Sequence, residues 1–211
     1  MNLSKETPES RLNPFISIWT RPRQTVRQMI EEKNSRLIFL LVVLSGYTAI
    51  LTTALDTDAD ETFGIPGLLI GGLIISPLLG AIGLAIGSLI SILVGKIFKG
   101  TATFDEMYRA QLAGQIPQMW LIPVLLIWIF FLPSSYFKSF EEQYSGMDLG
   151  LNIVLSVILF VLSMCTLFYQ SKAIGEAHGL SAWKGFFIIL IPIAAVIVLL
   201  SLIFVPMIFS L

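Results

Sequence analysis

Residues 65–98 read IPGLLIGGLIISPLLGAIGLAIGSLISILVGKIF, with no ionisable side chain before Lys96. As a helix, this segment rises about 50 Å at about 1.5 Å per residue. A bilayer core is about 30 Å thick and takes about 20 apolar residues per helix. The segment is therefore too long for one upright span and too short for a hairpin of two full spans. Ser76-Pro77 offers a kink, because proline lacks the amide hydrogen that would bond the preceding turn. The segment reads as one long, tilted, kinked helix; the alternative places a short surface or re-entrant piece before Pro77. How this segment is read decides the fold, since splitting it into two spans would make the chain cross six times rather than five.

Four further apolar segments stand around it, and spans are predicted at about 37–55, 65–98, 116–132, 149–169 and 185–209. The third is the shortest and carries Pro117 and Pro123, so neighbouring groups must satisfy the carbonyls these free. The charges support five spans. Lys5, Arg11, Arg21, Arg23, Arg27, Lys33 and Arg36 precede span one, Lys96, Lys99 and Arg109 lie between spans two and three, and Lys172 and Lys184 between four and five. With five spans, 12 of the 13 basic residues fall on one side, Lys138 being the exception. The other side carries Asp56, Asp58, Asp60, Glu61, Glu141, Glu142 and Asp148. By the positive-inside rule the N-terminus is cytoplasmic and the C-terminus extracytoplasmic, in a plasma membrane. A six-span arrangement would move Lys96, Lys99 and Arg109 outside.

The composition agrees. Of 211 residues, 55% are hydrophobic and 13% charged, against about 25% charged in soluble domains. The expected fold is an all-α polytopic membrane helix bundle. Residues 1–36 form a cytoplasmic amphipathic prefix and 37–211 a five-helix membrane domain. The prefix is polar, which argues against a cleavable signal peptide. Cys165, the one cysteine, lies in an apolar run and suits packing or lipid contact.

Small residues mark one face of the second span. Gly72, Ser76 and Gly80 are four apart, as are Gly83, Gly87, Ser91 and Gly95; such spacing lets another backbone approach closely. Tight packing within the bundle is the first reading, an oligomer interface or a mobile path-lining helix the sharper one. No span carries Asp, Glu, Lys, Arg or His in its centre. Intramembrane charge is costly and marks ion pathways, so its lack weighs against ion-coupled transport, voltage sensing and intramembrane catalysis. Gln111, Gln115 and Gln118 cluster at the start of span three, either as interhelical hydrogen bonds or as a polar path.

Before span one lies NPFISIWTRPRQTVRQMI, residues 13–30. Asn13-Pro14 is a helix start, and Pro22 opens a second helix. Phe15, Ile18 and Trp19 share one face, and Val26, Met29 and Ile30 another. Arg21, Arg23 and Arg27 suit lipid phosphates or a partner, so Phe15, Trp19, Arg21, Arg23 and Arg27 form a candidate interface. In GTATFDEMYRA, Thr103 can cap a short helix lying at the cytoplasmic interface. His178, in EAHGLSAWKG, has no nearby His or Cys for a metal and no nucleophile in range. No phosphate-binding loop, GxSxG, HExxH or CxxC occurs. No catalytic residue, cofactor or metal is expected, and positive-inside charge accounts for the basic prefix without nucleic acid.

In combination, NPFISIWTRPRQTVRQMI, GTATFDEMYRA and EAHGLSAWKGFFIILIP, with their order and the five-span layout, resemble the bacterial branch of the Yip family, the Ypt/Rab-interacting-protein-like membrane proteins. The resemblance implies a membrane protein without a recognised catalytic site. Eukaryotic relatives associate with small GTPases in vesicle traffic; some bacterial relatives accompany ABC-type exporters that protect against antimicrobial peptides. It therefore implies the bilayer and a membrane-protein partner, ABC exporter subunits or a second copy, and a scaffold or accessory role. A transporter or lipid-moving protein in its own right is the alternative.

Overall fold

The computed structural model describes residues 12–32, 34–137 and 146–209. Of the charges used to orient the chain, Lys5, Arg11, Lys33, Lys138, Glu141 and Glu142 lie outside them, as does the side chain of Asp148. The structure is 88% helical, with no strand among the described residues. In order the helices are α1 (Pro14–Thr20), α2 (Pro22–Glu31), α3 (Ser35–Ala54), α4 (Ala59–Ile97), α5 (Phe104–Gly114), α6 (Ile116–Met119), α7 (Leu121–Phe131), α8 (Pro133–Phe137), α9 (Gly146–Ala177) and α10 (Ala182–Phe209). Among the described residues α3, α4, α9 and α10 are each long and apolar enough to cross a membrane, and α5 with α6–α7, bent by 43°, makes a fifth if the pair is one span.

The long second segment is one helix, but its break lies elsewhere than the sequence suggests. Gly64 (φ 66°, ψ 152°) is the one residue with non-helical torsions inside α4. Glycine takes that positive φ without a Cβ clash. Pro66 then falls in the first turn of the resumed helix, where a missing amide hydrogen costs nothing. The torsions stay helical through Pro77. The carbonyl that Pro77 would leave free is that of Leu73, and the Ser76 hydroxyl donates to it at 2.8 Å. The neighbouring serine thus replaces the lost bond, and the helix continues.

Burial in α4 follows one row: Leu68, Gly72, Ser76, Gly80, Leu84, Ser88, Ser91 and Gly95. Its outer faces carry Ile70, Ile74, Leu78, Ile86, Leu93 and Ile97, all exposed. Six of these eight inward residues are glycine or serine while large aliphatics face out, the arrangement suited to a solvent of hydrocarbon.

The α5 helix is central rather than superficial. Met107, Ala110, Leu112 and Ala113 are fully buried, and α2, α4 and α9 pack against it. Ala110, Ala113 and Gly114 leave room for these neighbours, so the helix expected at the cytoplasmic interface is instead enclosed by α2, α4 and α9. Its start has the expected cap: Thr103 and Glu106 form a reciprocal capping box. One core cluster joins Ile18, Val26 and Met29 of α1–α2 to Leu41, Leu84, Leu112 and Ile116. A second, containing Tyr47, Leu51, Trp128, Tyr136, Phe137 and Leu155, closes the acidic end, where the Tyr136 hydroxyl donates to the Leu51 carbonyl.

Candidate functional site

The α1–α2 elbow is built as its sequence requires. The Asn13 side chain accepts from the Phe15 amide at 3.1 Å, with Pro14 at the first helical position. The Thr25 hydroxyl donates to Ser17 Oγ at 2.8 Å and ties the two short helices together. Ile18 and Val26 are fully buried and Met29 nearly so. The apolar stripe therefore packs on the chain's own α5, while Ile16 on the opposite face is exposed. Trp19 meets Tyr169 of α9 edge to face at 5.5 Å, and the Tyr169 hydroxyl donates to the Trp19 carbonyl at 3.1 Å. Phe15 packs beside the same core, half-buried.

The arginines divide. Arg27 Nε donates to Glu176 Oε1 at 3.0 Å, and Arg23 Nε stands 3.8 Å from Glu176 Oε2. The Glu176 carboxylate raises the Arg27 pKa further above its ordinary value, first through the hydrogen bond and then through charge. Arg21, by contrast, has no side-chain partner in the described chain. A fourth arginine, Arg109, is buried: it pairs with Asp105 at 2.9 Å and donates from Nη1 to the Ile30 carbonyl at 3.2 Å. That carbonyl lies in the last turn of α2, where orphan acceptors and the helix dipole both favour a cation.

The glycines of α4 have three different surroundings. Gly72 packs against Ile50 and Tyr47 of α3. Gly80 lies against the α3 backbone at Val42 and Gly46; a Cβ there would come within 3.0 Å of the Gly46 amide nitrogen. Gly83 meets nothing within 4 Å. Gly87 faces the Gln111 side chain, and Gly95 faces the ring of His178.

The glutamines also separate. Gln111 is buried and its amide donates to Ser91 Oγ at 2.8 Å, crossing from α5 to α4. Gln115 sits at the break between α5 and α6 and accepts a hydrogen bond from the Ser45 hydroxyl of α3. Gln115 and Gln118 line a recess of about 270 Å³ with Ser45, Thr48, Gly80 and Gly83 among its walls. The structure thus brings Gly80 and Gly83 together with two of the three glutamines, while Gln111 is engaged deeper inside.

His178 does more than its loop position suggests. It is buried, with Nδ1 accepting from the Ala102 amide at 3.2 Å and Nε2 at 3.1 Å from the Ser91 carbonyl. An acceptor at Nδ1 and a donor at Nε2 define the neutral ring protonated at Nε2. Burial pushes its pKa down, and the Ser91 bond opposes this in part. Gly95 and Gly100 flank the ring: a Cβ on Gly95 would stand 2.5 Å from Cε1, and one on Gly100 2.5 Å from Nδ1. Ser91 therefore receives Gln111 on its hydroxyl and His178 on its carbonyl. Sequence reading missed this junction, and also Glu176 and two close backbone crossings: a Cβ on Gly46 would stand 2.8 Å from the Gly80 amide nitrogen, and one on Gly185 2.9 Å from that of Gly175. The signal for the last existed, since Gly175 and Gly185 flank the α9–α10 turn in a small-residue pattern. Among the described residues no three His, Cys, Asp or Glu side chains are grouped to hold a metal.

A family model described as Yip1 domain matches residues 16–203, from α1 through most of α10. The chain belongs to the Yip1 family. No curated protein and no solved structure matches it. The Yip1 match begins within the α1–α2 elbow, so that elbow is part of the family unit together with the membrane helices. With its apolar helices, this Yip1 chain is a multi-pass integral membrane protein.

Proposed function

We propose that this Yip1-domain protein is a non-enzymatic scaffold or accessory subunit of a complex in the cell membrane, with an ABC-type exporter as the partner class that the family resemblance favours. It crosses five times, with α1–α2 cytoplasmic and the end of α10 outside. The observation that carries this reading is the outer half of α10. Val196, Ile197, Val198 and Leu199 are consecutive, so they point all round the helix, and each is 55–58% exposed. No other described part of the chain covers any face of α10 there. Lipid is as apolar as these side chains, so a helix standing apart gains nothing by hydrophobic burial and associates by shape and packing. A free helix of this kind suits insertion between the helices of a partner. The test is a photo-crosslinking residue at Ile197, in native membranes, with buried Ile129 as control. Defined adducts with exporter subunits are expected from Ile197 alone; adducts with lipid only would overturn the reading.

A second reading, movement of lipid or a small molecule, is favoured by the recess of Ser45, Thr48, Gln115 and Gln118, which offers four polar side chains beside α3, α4 and α6. Reconstituted vesicles should then show flux or lipid scrambling that falls in Gln118→Leu. Rates equal to those of empty vesicles would remove it.

A further inference from the structure

We propose that the recess between the α1–α2 elbow and Lys172 of α9 binds the phosphate of an anionic phospholipid, with an acyl chain lying along the exposed Phe168–Met164–Val161 row.

The recess measures about 480 Å³ and is lined by Thr20, Arg21, Pro22, Arg23, Gln24 and Lys172. Three of the six are cations and none is an acid. Glu176, one helical turn along α9 from Lys172, is already held by Arg27 and stands 3.8 Å from Arg23. Arg21 and Lys172 have no ion-pair partner among the described residues; the Lys172 ammonium sits 4.0 Å over the Phe168 ring instead. Two positive side chains are thus left facing one concavity with no internal counterion.

The backbone adds to this. Arg21 occupies the N-cap of α2 and supplies no side-chain cap, and Pro22 has no amide hydrogen. The Arg23 and Gln24 amides are therefore first-turn donors at the positive end of the α2 dipole, a geometry that favours phosphate oxygens. Arg21 can hold two such oxygens with its planar fork, and Lys172 serves as a point charge.

The choice of lipid over free phosphate comes from α9. Lys172, Phe168, Met164 and Val161 are spaced by four, four and three residues, which sets them on one helix face. Phe168, Met164 and Val161 are 53%, 47% and 50% exposed. An apolar row leading away from a cationic recess matches a molecule with a phosphate at one end and a hydrocarbon chain at the other.

The experiment uses the full chain in detergent, with phosphatidylglycerol and phosphatidylcholine offered together and bound lipid read by native mass spectrometry. Phosphatidylglycerol should be retained over phosphatidylcholine. Arg21→Gln and Lys172→Gln should each weaken that preference about fivefold, the effect of one basic residue near an anionic headgroup. Arg36→Gln, which removes an exposed arginine outside the recess, should leave it unchanged. Gln24→Glu, which places a carboxylate in the recess without removing a packed group, should abolish it in protein that still elutes as a folded species. Inorganic phosphate at millimolar concentration should not displace the lipid. No preference in the wild type, an equal loss in Arg36→Gln, or a preference that survives Gln24→Glu would each overturn the site. Displacement by inorganic phosphate would overturn the lipid assignment.

Discussion

Gly46 of α3 and Gly80 of α4 cross backbone to backbone: a Cβ on Gly46 would lie 2.8 Å from the Gly80 amide nitrogen and also meet the Ser76 carbonyl. Neither contact is with a flexible side-chain end, so the helices themselves would have to separate. Overpacking of this kind costs about 1–3 kcal/mol. Gly46→Ala and Gly80→Ala should therefore lower thermal stability in detergent, followed by tryptophan fluorescence. Gly83→Ala should not, because a Cβ there meets nothing within 4 Å. Equal losses at Gly80 and Gly83 would overturn the crossing as the cause, since alanine's better helix propensity acts in the opposite direction at both positions.

His178 gives the fold a pH dependence whose sign follows from its surroundings. The ring is held neutral, with Nδ1 accepting from Ala102, and burial depresses its pKa below the ordinary value. A proton added to Nδ1 would face a donor with a donor. In the unfolded chain the imidazole takes up its proton near pH 6.5, so on acidification the unfolded state binds protons first. Stability is thus fully present above about pH 6.5 and falls as pH drops towards the lower folded pKa. Unfolding midpoints measured between pH 8 and pH 5 should fall on the acid side in the wild type, and fall less in His178→Gln. Parallel curves for the two proteins would show that other groups carry the acid sensitivity.

The division between what could be read from residue order and what could not follows range. The apolar helices, the Asn13 and Thr103 caps and the amphipathic elbow depend on near neighbours in the chain, and residue order reports those directly. The Gly64 break needed a comparison of two prolines: Pro66 stands at a helix start, while Pro77 has Ser76 to satisfy the Leu73 carbonyl. The burial of α5 was hidden because Ala110, Ala113 and Gly114 add no hydrophobic signal while admitting neighbours on three sides. Glu176 and His178 meet partners 149 and 87 positions away, and nothing in their local sequence encodes those distances. The small-residue row in α4 was legible as a pattern; which glycine meets which surface was not, since Gly83 and Gly87 share spacing but only Gly87 has a facing side chain.

The Gln111–Ser91 hydrogen bond joins α5 to α4 at 2.8 Å between buried groups. Polar pairs between membrane helices contribute about 0.6 kcal/mol on average and up to about 1.7. A double-mutant cycle with Gln111→Ala and Ser91→Ala should return a coupling energy in that range by denaturant unfolding. Additive effects would leave Gln111 as a packing group with no energetic link to Ser91.

The Arg27–Glu176 pair is the charge contact that fastens the elbow to α9, 149 positions away in sequence. Glu176 is the more enclosed partner, at 13% side-chain exposure against 67% for Arg27. Removing the carboxylate releases Arg27 and Arg23 together, whereas removing Arg27 leaves Arg23 as a second cation for Glu176. Glu176→Gln should therefore loosen α1–α2 more than Arg27→Gln does, read as faster amide hydrogen exchange across residues 14–31. The buried Ile18, Val26 and Met29 should keep the elbow attached in both variants, so the global unfolding midpoint should move less than the local exchange rates. Arg27→Glu combined with Glu176→Arg should restore part of the protection that Arg27→Glu alone removes. Unchanged exchange in Glu176→Gln would mean that apolar packing alone positions the elbow.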